Sequence, residues 1–366
     1  MSDVRAMVQT APGVMELREF ERPTIRDDQA LIRLEACGVC GSDISIFRAS
    51  GHTPPSDFPL IRGHEPVGLI EEIGEVLARR HNLKPGDRVA VDPFLRCGSC
   101  PNCLSGRGEL CSGGAGQHNT LSAIPLRVAP GLWGGFATHL VATAQTVLYP
   151  VPPEVSGTLA ALFNAMGAGV KWGVDVPGTT IGSRVVVLGC GQRGIACALA
   201  ALEAGAEFGA VTGLGRDAHK LALADELGVH LAVDVDQVDI KEVILDLQPS
   251  GVDIVIDTTP KTTGTLADAV AIATTGGSIV VAGLKGRLAD GFPVDEMVRK
   301  EIVLRGVLGV GADQYRRAIS MIASTTRPLH RLQTHVVPLE KVTYGIDVLA
   351  GDVEGEHALN VVVDTA

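Results

Sequence analysis

Apolar residues follow two different patterns along the chain. Up to about residue 150 they come in short alternating runs broken by Gly and Pro, at 30–35, 68–73, 87–91 and 136–141. Period-two alternation between turn residues predicts half-buried strands, and so a β-rich, barrel-like first domain. Beyond the junction Pro150-Val151-Pro152-Pro153 the runs become continuous, at 184–188, 208–212, 231–233, 253–257, 278–282 and 302–306, with Ala/Leu-rich helical stretches between most of them. Strands apolar on both faces and separated by helices predict a doubly wound parallel sheet of six strands. From about 311 the pattern reads helix, strand near 335–337, helix, and a last strand at 359–364 that returns to the first domain. The domains expected are therefore 1–153, 154–309 and a C-terminal segment 310–366 belonging to the first.

Composition narrows the class of function. A chain of 366 residues is too long for one core, since single cores stop growing at roughly 250–300 residues. Charged and turn residues interrupt every apolar stretch before the ~18–20 residues a membrane helix needs, and Met1 to Arg5 lead into strand-like sequence with no secretory pattern, so a soluble, cytoplasmic protein is expected. A formal charge of −11 without a concentrated Lys/Arg face argues against nucleic acid and for a small-molecule partner. Eight cysteines in a reducing compartment point to metal rather than to disulfides.

Three motifs carry chemistry. The strand at 184–188 runs into Gly189-Cys190-Gly191-Gln192-Arg193-Gly194 and then an Ala-rich helix from Ile195 to about Ala204. The first glycine permits the tight turn, the second lets backbone approach a pyrophosphate, and the third allows close helix packing. An acidic residue that would accept from the ribose of NAD is expected at the end of the second strand. Gly215 stands there, with Arg216 beside it and Asp217 two positions on. A missing carboxylate and a neighbouring guanidinium favour the 2′-phosphate of NADP, with NAD the alternative. Second, Cys97, Cys100, Cys103 and Cys111 are spaced C-x2-C-x2-C-x7-C. Four close thiolates make a closed tetrahedral shell with no position left for substrate, so the lobe 97–111 is expected to hold a structural zinc, with iron the runner-up ion. Third, Cys40 and His64-Glu65 lie in the segments Gly38-Val39-Cys40-Gly41-Ser42-Asp43 and Gly63-His64-Glu65-Pro66-Val67-Gly68.

In this order the motifs resemble those of the zinc-dependent medium-chain dehydrogenase/reductase (alcohol dehydrogenase) family, over essentially the whole chain. The resemblance implies a GroES-like catalytic domain joined to a Rossmann domain. It implies a second, catalytic zinc on Cys40 and His64, near the nicotinamide in the cleft between domains. The family's third ligand, a Cys, Glu or Asp, falls here on Asn164, whose neutral amide is a weak zinc ligand. Glu65 is the other candidate, and with Cys40 it would neutralise the ion's two charges, leaving Asn164 as a more distant partner behind the ligands. The resemblance further implies that Ser42 exchanges a proton with the substrate oxygen and that Asp43 fixes the tautomer of His64. A histidine that many relatives carry at the place of Ser45 is lacking.

The activity implied is hydride transfer between an alcohol or carbonyl substrate and NAD(P), by a homodimer or homotetramer paired through the strands at 278–282 and 302–306. Asn164 motivates an alternative, a zinc-independent enone or quinone reductase on the same fold. A non-catalytic zinc-ribbon protein would explain the cysteine lobe but not the glycine motif. Phe47, His52, Phe94, Trp133 and the loop 113–118 read either as substrate pocket or as packing, and Cys37, Cys190 and Cys197 read as packing thiols.

Overall fold

The computed structural model describes residues 4–50, 57–113 and 119–366. Eight strands open the chain: β1 (Val4–Ala11), β2 (Val14–Phe20), β3 (Ala30–Val39), β4 (Leu60–Ile61), β5 (Glu65–Ile73), β6 (Arg88–Val91), β7 (His139–Ala142) and β8 (Leu148–Pro150). Six more follow: β9 (Arg184–Leu188), β10 (Phe208–Gly213), β11 (Leu231–Asp234), β12 (Val252–Asp257), β13 (Ala273–Val281) and β14 (Val303–Gly306). The last two are β15 (Gln333–Pro338) and β16 (Asn360–Asp364).

Two compact units result. The first comprises Met1–Asn164, Gly311–Thr325 and Gln333–Ala366; the second comprises Ala165–Val310 and Thr326–Leu332. The first unit thus runs eleven residues past the Pro-rich junction and ends within the helix Phe163–Ala168.

The first unit is built on a seven-stranded sheet in the order β15-β16-β3-β5-β6-β8, with β7 on β3, and a three-stranded sheet β2-β1-β4. Strand β3 has partners along both edges, and Leu31, Ile32, Leu34, Ala36, Cys37 and Val39 are fully buried, with Ile32 and Leu34 packed in one core cluster and Leu31 in another. The tail is part of this core: β16 pairs antiparallel with the end of β3, and Val361, Val362 and Val363 are fully buried. The helix Gly41–Phe47 follows β3 directly and carries Cys40 as its N-cap residue.

The second unit is a six-stranded sheet in the order β11-β10-β9-β12-β13-β14, every pair parallel. Reading outward from β9, the strand order reverses between β9 and β12. In an open α/β sheet that is where the carboxyl ends of the strands leave room for a ligand. Val185 to Val187 of β9 and Val255 and Ile256 of β12 are fully buried, as central strands covered on both faces must be. No helix among the described residues is long and apolar enough to cross a membrane.

Candidate metal and nucleotide sites

Two donor clusters form in the first unit. Cys40, His64 and Glu65 offer ligand atoms within 4.8 Å of one another, and all three are buried. The architecture explains why. Cys40 directly follows β3, His64 directly precedes β5 and Glu65 opens it, and the two strands pair with Gly38 opposite Glu65. A Cβ on residue 38 would overlap the Glu65 carboxylate, so the bare backbone of Gly38 is what lets that side chain lie across the sheet.

Asp43 ties the cluster together. Its Oδ2 accepts the Cys40 backbone N–H at 2.9 Å and its Oδ1 lies 3.1 Å from His64 Nδ1. A carboxylate only accepts, so His64 carries its proton on Nδ1 and turns Nε2 toward the other donors, 3.9 Å from Glu65 Oε1. Thiolate, imidazole and carboxylate are zinc ligands, and two negative charges balance a divalent ion, so the donor set fits the metal.

Asn164, expected as a candidate ligand, is otherwise engaged. Its Nδ2 donates to Glu65 Oε1 at 2.8 Å and its Oδ1 accepts the Tyr315 hydroxyl at 3.0 Å. Because Glu65 cannot donate, the amide must present nitrogen to it, and the oxygen that could bind a metal is turned away. Of the two places the sequence left open for Asn164, this contact matches the partner behind Glu65.

The second cluster is Cys97, Cys100, Cys103 and Cys111, again within 4.8 Å of one another. Cys97 and Cys103 sulfurs lie 4.0 Å apart, and Cys100 and Cys111 sulfurs 3.9 Å. A tetrahedron with zinc–sulfur distances of about 2.3 Å has edges of about 3.8 Å, so the spacing fits one ion. Backbone N–H groups point at the sulfurs, from Cys100 to Cys97 at 3.3 Å, Cys103 to Cys100 at 3.4 Å and Gly113 to Cys111 at 3.3 Å. The N–H groups of Ser99 and Cys100 hold the Cys97 thiol at about 6, while burial pushes Cys103 up to about 12.

In the second unit the glycine motif stands between β9 and the helix Gln192–Glu203, with Gly191 as N-cap. Gly189 takes a φ of 109°, open only to glycine. A Cβ on Gly194 would overlap the Gly189 carbonyl, whereas one on Gly191 would meet nothing within 4 Å. The first and third glycines are thus required by the fold, and the second leaves space beside helix N–H groups, which fits a pyrophosphate. Arg193 lays its guanidinium 5.2 Å over the Trp172 ring.

Gly215 and Arg216 are exposed beyond β10. The N–H of Gly215 donates to Asp236 Oδ2 at 2.8 Å, and Asp236 N–H in turn donates to Asp234 Oδ1 at 3.0 Å. Asp217 accepts from the Leu214 N–H and from Lys220 Nζ, the latter at 2.7 Å. The carboxylates near Gly215 come from the end of β11 and the turn after it, which no spacing within the second βα unit reveals.

Ser42 is exposed on the helix Gly41–Phe47, and the Ser45 hydroxyl donates to the Ser42 carbonyl at 3.0 Å. Phe47 and Trp133 are buried in the core clusters of the first unit, where Trp133 Nε1 donates to the Val128 carbonyl, so both are packing residues. Phe94 is half-buried; His52 and residues 114–118 lie outside the described residues. Cys37, Cys190 and Cys197 are buried, and burial pushes the latter two thiols up to about 11 and about 12. Tyr315 was not singled out by the sequence. It lies on the buried stripe of the helix Ala312–Ser324 with Ala318, Ile319 and Ile322, which reads as core.

Known proteins match along the same lines. The model of the alcohol dehydrogenase GroES-like domain matches residues 26–153, and that of the zinc-binding dehydrogenase domain matches residues 189–324. The chain is 41% identical to a protein of Mycobacterium tuberculosis named probable alcohol dehydrogenase, over 97% of each chain. It is 27% identical to L-threonine 3-dehydrogenase of Xanthomonas axonopodis pv. citri, over 94% of this chain and 95% of the other. Among solved structures, a zinc-binding dehydrogenase of Sinorhizobium meliloti with bound NADP superposes with a TM-score of 0.84 at 26% identity, covering 100% of both chains. An alcohol dehydrogenase of Thermotoga maritima superposes at 0.87 and 24% identity, over 99% of both, and speaks for the fold. Motifs, sheet order and relatives agree that the chain is an NAD(P)-dependent oxidoreductase belonging to the zinc-dependent medium-chain alcohol dehydrogenase family.

Proposed function

We propose that this enzyme interconverts small alcohols and their aldehydes or ketones, with a catalytic zinc on Cys40, His64 and Glu65 and a structural zinc on Cys97, Cys100, Cys103 and Cys111. The convergence of thiolate, imidazole and carboxylate within 4.8 Å carries the reading. When bound, the catalytic ion supplies Lewis acidity toward the substrate oxygen. Asp43 holds His64 in the tautomer that leaves Nε2 a donor of electrons, and fixes the Cys40 backbone at the same time. Ser42, exposed at the start of its helix, is the group assigned to exchange the hydroxyl proton of the substrate. The helix N-terminus at Gly191 and Gln192 would hold the pyrophosphate of a nicotinamide nucleotide, which would supply the hydride-transfer chemistry.

For the nucleotide the structure favours NAD over the NADP expected from sequence. The Gly215 N–H is engaged by Asp236, and Asp234 adds a second carboxylate, so a 2′-phosphate would meet two negative charges against the one of Arg216. Asp236 stands in for the acid that β10 lacks.

The exposed strand β14, with Val303 and Leu304 on its surface, and exposed Leu284, Leu288, Val298 and Leu308 support a homodimer paired along this edge. The substrate class is tested by a panel of aliphatic, cyclic and aromatic alcohols run with NAD and NADP in parallel. Oxidation with at least a tenfold kcat/KM preference for NAD is expected. Enone reduction without alcohol oxidation, in protein free of zinc at Cys40, would replace this reading with the reductase alternative.

A further inference from the structure

We propose that Tyr315 is a positioning residue of the metal centre, acting through Asn164 to hold the Glu65 carboxylate in the donor set. The inference rests on Glu65 as the third protein ligand and adds a residue that no motif of the chain contains.

The hydrogen-bond directions along this path are fixed by chemistry. Glu65 Oε1 accepts the Asn164 Nδ2 hydrogen at 2.8 Å, and Asn164 Oδ1 accepts the Tyr315 hydroxyl at 3.0 Å. An amide alone can rotate by a half turn, and its two ends are nearly alike in shape. Glu65, which only accepts, selects the rotamer whose nitrogen faces it, and the Tyr315 hydroxyl anchors the amide there by donating to the oxygen at the far end. The reversed amide would set oxygen against carboxylate oxygen in a buried place, with no water to screen the repulsion.

The three residues are effectively dry: Glu65 and Tyr315 are fully buried and Asn164 is 3% exposed. Tyr315 is itself held by its ring, with the Tyr149 ring at 5.5 Å and the Phe163 ring at 5.2 Å. Its hydroxyl therefore sits at a defined point even without the hydrogen bond, which is what an orienting group requires.

On the other side of the carboxylate, Gly38 leaves the room that Glu65 occupies. Glu65 is thus confined by bare backbone on one face and directed by an oriented amide on the other, with His64 Nε2 3.9 Å from the same oxygen. A helix 151 residues beyond Asn164 in sequence thereby bears on the metal ligand, and both belong to the first unit.

The test is zinc release from the holoenzyme into excess pyridylazoresorcinol, with the cobalt-substituted enzyme read by its visible spectrum. Tyr315→Phe keeps the ring and deletes the hydroxyl. One zinc should leave roughly tenfold faster, within the 10–100-fold typical of groups that support metal ligands. The four-cysteine zinc should keep its wild-type rate and so report an intact fold. The cobalt bands should shift, and Tyr315→Phe should have no further effect in an Asn164→Leu background. Wild-type release and an unchanged cobalt spectrum in Tyr315→Phe would overturn the proposal. So would wild-type behaviour of Asn164→Leu alone, which tests the same contact however the Tyr315 variant folds. Glu65→Gln separates the two levels: if its zinc release is unchanged, Glu65 is not a ligand and the underlying reading fails. If Glu65→Gln releases zinc fast while Tyr315→Phe does not, only the positioning role fails.

Discussion

Glu65 lies beside Cys40 and His64 because residue 38 has no side chain, and Asp43 meets both Cys40 and His64 with its two oxygens. Both details give expectations at single positions. Gly38→Ala drives a methyl group into the Glu65 carboxylate inside a fully buried strand pair, where overpacking costs about 1–3 kcal/mol. Thermal unfolding should fall, and one zinc should be lost on dialysis. Asp43→Asn keeps the shape but sets an amide against His64 Nδ1, so zinc affinity at that site should drop 10–100-fold by competition titration. Unchanged affinity would mean that Asp43 does not orient His64. At the nucleotide site, Asp236→Ala frees the Gly215 N–H and removes one of the two carboxylates from the 2′-phosphate position. The NAD to NADP ratio of kcat/KM should fall by about tenfold, as loss of one charge–charge contact of about 1.4 kcal/mol predicts. The sequence showed Cys40, His64, Glu65 and Asp43 because each lies in a short motif. It could not show that Asn164 turns its nitrogen inward, since that depends on Glu65 meeting it from β5 and Tyr315 from another helix.

Elements differ in how clearly local pattern specifies them. The strand expected at 184–188 spans Arg184–Leu188, and its helix begins at Gln192 rather than 195 because Gly191 serves as N-cap. Buried parallel strands stand out as unbroken Val/Ile/Leu runs. The strand expected from 136 begins instead at His139, because Phe136 gives its backbone N–H to Arg62, a partner fixed by tertiary packing. Strands β1 and β2 were not singled out individually; much of β2 is exposed and offers no clean alternation. The cysteine lobe was legible from spacing alone, and its backbone sets reactivities that spacing does not give. In protein stripped of zinc at pH 7, Cys97 near 6 is largely thiolate while Cys103 near 12 and Cys197 near 12 stay protonated. Iodoacetamide followed by mass spectrometry should therefore label Cys97 well before Cys103 and Cys197. Early labelling of Cys197 would contradict the assignment.

At the scale of the molecule, two units with different sheets divide the candidate chemistry: the two clusters of possible metal donors lie in the first, the glycine turn in the second. The chain leaves the first unit at Asn164 and re-enters it at Gly311, apart from residues 326–332 in the second unit, so the last strand completes the sheet that carries Cys40. Sequence suggested the return because strand pattern resumes near the end, but the extent of each unit follows from pairing. Association belongs to this scale as well. Leu304→Lys on the exposed edge strand should convert a dimer to monomer in sedimentation while leaving the fold intact. The whole account depends on a metal ion held by Cys40 with His64 and Glu65. Zinc content per chain of Cys40→Ala beside the wild type tests this most directly. Two zinc ions in the wild type and one in the variant, with alcohol oxidation lost, is the expected result. Equal zinc content in the two proteins, or full activity in the variant, would contradict it.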